Sequence, residues 1–230
     1  MDSDFRQSMR RYYDARASEY EEAYVLGTGT ASIPDPEVFR REASLLTRIV
    51  EQFARGRLVD LACGTGYWLP YYVAACSSIT LIDQATRMLQ ECRKKVASRV
   101  RDAQERITIV QDDVLEHAFR PRAFDSALVG FLISHLTDEE EHQLFERLKT
   151  ILDTDGRFLI LDSAWSPERA RFHRKTERQE RRLNDGSRFE IYKRYIDRQD
   201  VVEWERKYGV ATSIEHFGTA FIAVSGHVRP

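Results

Sequence analysis

The chain has 230 residues, 42% of them hydrophobic and 11% aromatic, which suits one domain with a large core. A formal charge of −2 gives no general pull toward nucleic acid or an anionic membrane surface, and no apolar run approaches the ~20 residues of a membrane-spanning helix. The three cysteines, Cys63, Cys76 and Cys92, form neither a CxxC pair nor a disulfide framework, so no metal site and no membrane insertion are expected, and a reducing cytoplasm is the expected setting.

Phe5, Met9, Tyr12, Arg16 and Tyr20 recur at steps of three or four, which predicts one helix over residues 3–24. Gly27–Ser32 is a run of small residues suited to a hinge. Asp35-Pro36 reads as an N-cap followed by Pro at the first helical position, and Phe39, Ala43, Leu46 and Phe53 carry that helix to Gly56. Leu58–Leu61 is then a short buried strand that runs into the loop Ala62-Cys63-Gly64-Thr65-Gly66. A helix is expected over Tyr67–Ala75, with Pro70 limiting its first turn. Strands follow at Ser78–Asp83, Arg106–Val110, Phe124–Gly130 and Phe158–Asp162. The helices between them begin at Met88 and, after a Thr137/Glu140 capping box, at Asp138. Strand and helix alternate throughout, which argues a parallel sheet covered on both faces.

Past Asp162 the alternation lapses. Residues 165–194 carry ten Lys/Arg against five Asp/Glu. Ser166–Leu183 is predicted to be helical, Arg188–Ile196 a strand or extended arm, Gln199–Tyr208 a helix, and Thr212–Phe217 with Ala220–Val228 an antiparallel pair at the sheet edge.

The polar residues at the strand ends describe a nucleotide pocket. Glycines one residue apart let backbone N–H groups approach a ligand. Asp83, 19 residues after Gly64, stands near the usual offset of a carboxylate that accepts the hydroxyls of a ribose. A dinucleotide fingerprint needs a third Gly to seat a pyrophosphate on the helix N-terminus, and Leu69 stands there instead. Asp60 would also repel a pyrophosphate, whereas it suits a ligand carrying ammonium or sulfonium charge.

At this point the chain resembles the class I S-adenosylmethionine-dependent methyltransferases, of the small-molecule type. The resemblance rests on Val59–Gly66, Leu81-Ile82-Asp83, Gln111–Val114, Phe124-Asp125 and Leu148–Phe158, in order and at the family's spacing. Tyr12–Tyr20 also looks like the lid helix of small-molecule members. Ala62 departs from the Gly of many members. The resemblance implies a Rossmann-like, doubly wound, mostly parallel sheet ending in an antiparallel edge hairpin. It implies a single domain: an N-terminal lid (1–32), a cofactor core (36–165), an acceptor-side insertion after the fifth strand (166–198) and a C-terminal helix with edge strands (199–230). It also implies S-adenosyl-L-methionine as cofactor. Asp60, Ala62, Gly64 and Gly66 would surround its methionine part, Asp83 the ribose, and Gln84, Asp113 and Val114 the adenine. The Asp112/Asp113 pair leaves one residue of ambiguity, with Asp113 favoured. Gly130 and Phe131 would border the sulfonium, and Tyr20 would close over it.

The expected reaction is in-line methyl transfer to oxygen or nitrogen of a small molecule. His135, after the fourth strand, is the candidate base. Tyr13, Trp165, His173, Tyr192 and Tyr195 are candidates to line the acceptor site, and Arg169, Arg174 or Lys193 to hold an anionic acceptor. Two other readings stand beside it: an RNA or protein methyltransferase that docks through residues 165–194, and a non-catalytic cofactor-binding or dimerisation protein with residues 165–195 as an interface. No nucleic-acid partner is expected, and a homodimer is open.

Overall fold

A computed structural model of the chain describes residues 3–26 and 35–228, so the predicted hinge at Gly27–Ser32 lies outside the described residues. Five parallel strands, Gly56–Leu61 (β1), Cys76–Asp83 (β2), Ile107–Gln111 (β3), Phe124–Gly130 (β4) and Leu152–Ser163 (β5), make most of one sheet. Thr176–Arg182 (β6) and Arg188–Arg194 (β7) pair antiparallel in a sheet of their own. Val210–Phe217 (β8) and Phe221–Val228 (β9) complete the main sheet antiparallel, in the order β3-β2-β1-β4-β5-β9-β8. The doubly wound sheet with an antiparallel edge is therefore as the sequence implied.

Burial explains why the central strands read as unbroken apolar runs. Leu58, Leu128 and Leu159 point to one face, against Pro36–Phe53 (α3), Leu69–Tyr72 (α4) and Thr86–Arg99 (α5). Val59, Val129 and Ile160 point to the other, against Asp138–Ile151 (α6) and Arg198–Tyr208 (α8). A strand covered on both faces has no solvent side for polar residues to occupy. Chain order reverses between β1 and β4, so a crevice opens at their carboxyl ends.

Local chemistry sets the helix starts. Asp35 Oδ1 accepts from the backbone N–H of Glu37 (2.9 Å) and Val38 (3.3 Å), with Pro36 at the first position. Thr137 and Glu140 close the expected capping box on each other's backbone N–H groups.

Three predicted helices are corrected. The N-terminal one is broken: Ser3–Arg16 (α1) and Glu22–Leu26 (α2) flank a turn at residues 17–21. That turn places Glu21, which accepts from Thr65 Oγ1 at 2.6 Å and pairs with Lys95. The helix expected over Tyr67–Ala75 shrinks to α4 and a 3₁₀ turn, with Pro70 in its first turn. The long helix expected over Ser166–Leu183 is one turn, Pro167–Ala170 (α7), capped by Ser166, and then strand β6. In β6 the half- or fully buried residues Glu177, Gln179 and Arg181 alternate with exposed ones. The period of two is present, but the inward residues are themselves polar, so an apolar pattern could not reveal it.

Glu42 of α3 fastens the edge pair to the rest of the domain. Its carboxylate accepts from the backbone N–H of Thr219 (2.8 Å), Ala220 (3.0 Å) and Phe221 (3.0 Å), and its Oε2 lies 3.1 Å from His216 Nε2. Burial opposes its ionisation, yet the donors, His216 first, hold its pKa below the usual carboxylate value. Glu42→Ala should cost about 3 kcal/mol in urea unfolding, because buried backbone donors are left unpaired. A depressed folded-state pKa contributes stability above the unfolded value and loses it in acid. The gap between wild type and variant should therefore narrow as pH falls below about 4. Equal midpoints for both proteins at neutral pH would show the contact to be idle.

Candidate active site

The loop after β1 has the backbone that the glycines foretold. Gly64 and Gly66 have φ of 55° and 68°, and the intervening turn is closed by Gly66 N–H on Cys63 C=O at 2.9 Å. Ala62, the departure from Gly, sits at φ 60°, a conformation that costs an L-residue of order 1 kcal/mol. A Cβ on Gly66 would lie 2.9 Å from Cys92 Sγ, so that glycine serves loop–helix packing. A Cβ on Gly64 would meet only Met88 Sδ at 4.0 Å; its φ is what calls for glycine.

A cavity lies at the carboxyl ends of the strands, with about 930 Å³ of empty space including its mouth. Ala62, Gly64, Asp83, Gln84, Asp113, Val114, Gly130, Phe131 and Tyr20 all line it, so most of the cofactor candidates are brought together. Asp83 is 9% exposed; its Oδ2 accepts from Gly64 N–H (2.9 Å) and its Oδ1 from Ala85 N–H (2.8 Å). Burial pushes its pKa up to about 6 against the pull of those donors. Each oxygen keeps a lone pair for a further donor. Asp113 faces the cavity, whereas Asp112 is exposed and turned to His117 Nδ1 at 2.9 Å, which separates the two acids. Ala85, Met88, Leu115, Leu132 and Leu136 supply apolar walls. Polar groups at successive strand ends around an apolar slot suit a nucleoside.

Two candidates do not reach the cavity wall. Gly66 packs on Cys92, as above. Asp60 lies beneath the loop, 1% exposed, its Oδ2 accepting from Tyr72 O–H at 2.7 Å and its Oδ1 without a partner. Burial, with Asp83 nearby, raises its pKa to about 7 despite the Tyr72 bond. Any influence of Asp60 on a bound cation is thus exerted through the loop and not by contact.

His135 is held at both nitrogens. Nδ1 is 2.7 Å from the carbonyl of Tyr192, which can only accept, so Nδ1 carries the hydrogen. Nε2 then accepts from Tyr13 O–H at 2.7 Å. Burial lowers the imidazole pKa to about 3, with the Lys193 charge adding to the effect. The same burial raises the Tyr13 phenol. A neutral histidine therefore joins α1, the 3₁₀ turn Ile133–His135 and β7.

A second chamber adjoins the first and shares Tyr13, Tyr20, Phe131 and His135 with it. Phe131 has φ 57°, its N–H bonded to Leu161 C=O at 2.7 Å, and its ring is parallel to Trp68 at 6.4 Å. Of the acceptor-side candidates, Tyr13, Tyr195, Arg169 and Lys193 line this chamber. Trp165, His173 and Tyr192 do not. Trp165 stacks behind Tyr195, His173 binds Glu177 at 2.8 Å, and Tyr192 contributes its carbonyl to His135. Arg174 is exposed. The sequence reading missed Arg6, Arg10 and Met88 around the first cavity and Arg16, Arg181 and Tyr24 around the second. The helical period had placed Arg16 on the aromatic face of α1, which was the one available signal.

Comparison with known proteins agrees with this geometry. Residues 58–156 match a family model described as a methyltransferase domain. An uncharacterized methyltransferase of Oceanobacillus iheyensis is 23% identical over 135 residues, 59% of each chain, so the match spans about three fifths of that relative. Among solved structures, DhpI in complex with SAH superposes with a TM-score of 0.76 at 21% identity over 100% of both chains. The 1,6-didemethyltoxoflavin-N1-methyltransferase of Burkholderia thailandensis, with 1,6-didemethyltoxoflavin and S-adenosylhomocysteine bound, superposes at 0.59 with 15% identity, over 94% of this chain and 88% of its own.

The buried Asp60 has a pH signature. Its folded pKa lies above the unfolded value near 4, so the folded chain binds the extra proton between those limits. Relative to Asp60→Asn, cofactor-free protein should gain stability as pH falls from 7 toward 5, by at most about 1.4 kcal/mol per pH unit. Urea titrations of both proteins at several pH values read this directly, and parallel profiles would contradict it.

Proposed function

We propose that this chain, a class I S-adenosylmethionine-dependent methyltransferase, moves the methyl group to oxygen or nitrogen of a small molecule held in the second chamber. The observation that carries this reading is the wall of Tyr13, Tyr20, Phe131 and His135 common to the two cavities. A cofactor in the first cavity and an acceptor in the second would meet there.

The residues present fit the cofactor. Ala62 and Gly64 would receive its methionine part, with the orphan Asp60 oxygen beneath the loop favouring positive charge above it. Asp83 would accept from the ribose hydroxyls, and Gln84, Asp113 and Val114 would border the adenine. Gly130 and Phe131 would lie beside the sulfonium. When bound, S-adenosylmethionine supplies an electrophilic methyl on sulfur. The protein's own work is to align the acceptor with it and keep water out, and alignment alone can remove about 7–11 kcal/mol of barrier. Residues 3–26 act as the lid, and the β6–β7 hairpin closes the acceptor side. The likeness of the chain to the small-molecule methyltransferase of Burkholderia thailandensis supports an enclosed acceptor.

His135 acts in this scheme as a positioning residue. Its one lone pair is used by Tyr13 and its basicity is suppressed, so it fixes the phenol of a residue that lines both cavities. This narrows the expectation of a histidine base.

Isothermal calorimetry tests the cofactor site. Asp83→Ala should weaken S-adenosylmethionine at least ~10-fold, the loss of one or two charge-assisted hydrogen bonds. Unchanged affinity would remove Asp83 from the ribose. For His135, a turnover assay with a metabolite panel should give kcat in His135→Ala and Tyr13→Phe reduced alike. The wild-type rate should show no limb near pH 6.5, since a histidine of pKa about 3 does not titrate there. A limb in that range that His135→Ala abolishes would restore the base.

A further inference from the structure

We infer that the second chamber recognises its acceptor through an oxyanion, a phosphate, phosphonate or carboxylate group, gripped by Arg169, Arg181 and Lys193 with Arg16 of α1 closing over it. This deepens the reading above and rests on it for the word acceptor, but the anion site itself does not depend on methyl transfer.

The argument is one of charge balance. Four cationic side chains line the chamber, and no Asp or Glu is among the described residues that line it. Behind the wall, Asp162 meets Lys193 at 3.3 Å and is already engaged by the backbone N–H of Ser134 (3.0 Å) and Ser163 (2.7 Å). It offsets the Lys193 charge. Arg169 is 3% exposed, donates to the carbonyl of Ala220 at 2.9 Å and lies 4.3 Å from the Tyr195 ring centroid, while its Nε has no partner. Lys193 is 6% exposed, its Nζ 2.6 Å from Ser134 Oγ. Arg181 donates to Gln179 Oε1. Arg16 donates to Tyr12 O–H at 3.1 Å and sits 4.9 Å from the Tyr20 ring centroid. Burial draws the pKa values of both Lys193 and Arg169 below their usual values despite the nearby Asp162 carboxylate.

Buried cations need compensation, and guanidinium groups match the geometry of oxyanions. The outward face of the same hairpin shows the contrast. There Arg178 pairs with Glu190 and Arg188 with Glu180. On the inward face Glu177 is taken up by His173 and Gln179, while Arg181 and Lys193 line the chamber. The excess of positive charge favours a dianion over a monoanion.

The test titrates inorganic phosphate, methylphosphonate, acetate and neutral acetamide into the full chain by calorimetry, with and without S-adenosylhomocysteine, at constant ionic strength. Phosphate and methylphosphonate should bind and acetamide should not; acetate binding as tightly as phosphate would keep the oxyanion and assign a carboxylate acceptor. Arg169→Gln and the less buried Arg181→Gln should each raise the phosphate Kd at least ~10-fold with affinity for S-adenosylhomocysteine retained, which shows the variants folded. Equal binding of acetamide and phosphate, or a phosphate Kd unmoved in Arg181→Gln, would overturn the inference. Failure to bind S-adenosylhomocysteine while phosphate still binds would instead sink the proposed methyl transfer and leave the anion site standing.

Discussion

The site depends on one buried, uncharged imidazole. His135 holds the carbonyl of Tyr192 with one nitrogen and the hydroxyl of Tyr13 with the other, and in doing so joins three segments far apart in the chain. The 3₁₀ turn that carries it follows the central strand β4, so the imidazole is anchored to the stiffest part of the domain. The helix α1 and the β6–β7 hairpin are secured to that anchor. Without it neither cavity would have its common wall, since two of the four shared residues, Tyr13 and Tyr20, come from the N-terminal segment. Two hydrogen bonds in a buried setting are modest in energy, but leaving either donor or acceptor unpaired there is costly. That asymmetry is what gives the arrangement its definition.

Charge is distributed on the same plan. The cofactor side holds carboxylates, Asp60 and Asp83, both buried and both pushed upward in pKa. The second chamber holds Arg169, Arg181 and Lys193. Buried carboxylates thus stand beside and beneath the first cavity, while the second chamber is lined by cations and, among the described residues, by no carboxylate. The stability cost of such burial is acceptable only because the sheet and its two helical layers provide a large apolar core on either face.

Elements whose sequence carries its own instructions were legible. The Asp35-Pro36 start and the Thr137/Glu140 capping box involve neighbours within three residues, and both appear as read. The buried strands were legible because both faces demand apolar side chains. The β6 strand was not, because its inward residues Glu177, Gln179 and Arg181 are polar and an apolar pattern is blind to them. Good helix formers were there overruled by pairing with β7. Trp165 and His173 were drawn to the acceptor site by proximity in sequence, but their rings pack behind Tyr195 instead.

By itself the sequence named most of the residues that line the first cavity. Its parts lie in a βαβ unit, Gly64 and Asp83 being 19 residues apart, and strand–turn–helix geometry allows such a spacing few outcomes. Even there, only the folded structure showed that Asp60 sits under the loop and not in it, because burial of one carboxylate is a matter of packing from Tyr72. The second chamber was decided by tertiary structure alone. Tyr13 and His135 are 122 residues apart, and Lys193 and Ser134 are 59 apart. No local rule links residues at such distances. They meet because the sheet order carries β4 to the centre, and the hairpin after β5 folds back across its end.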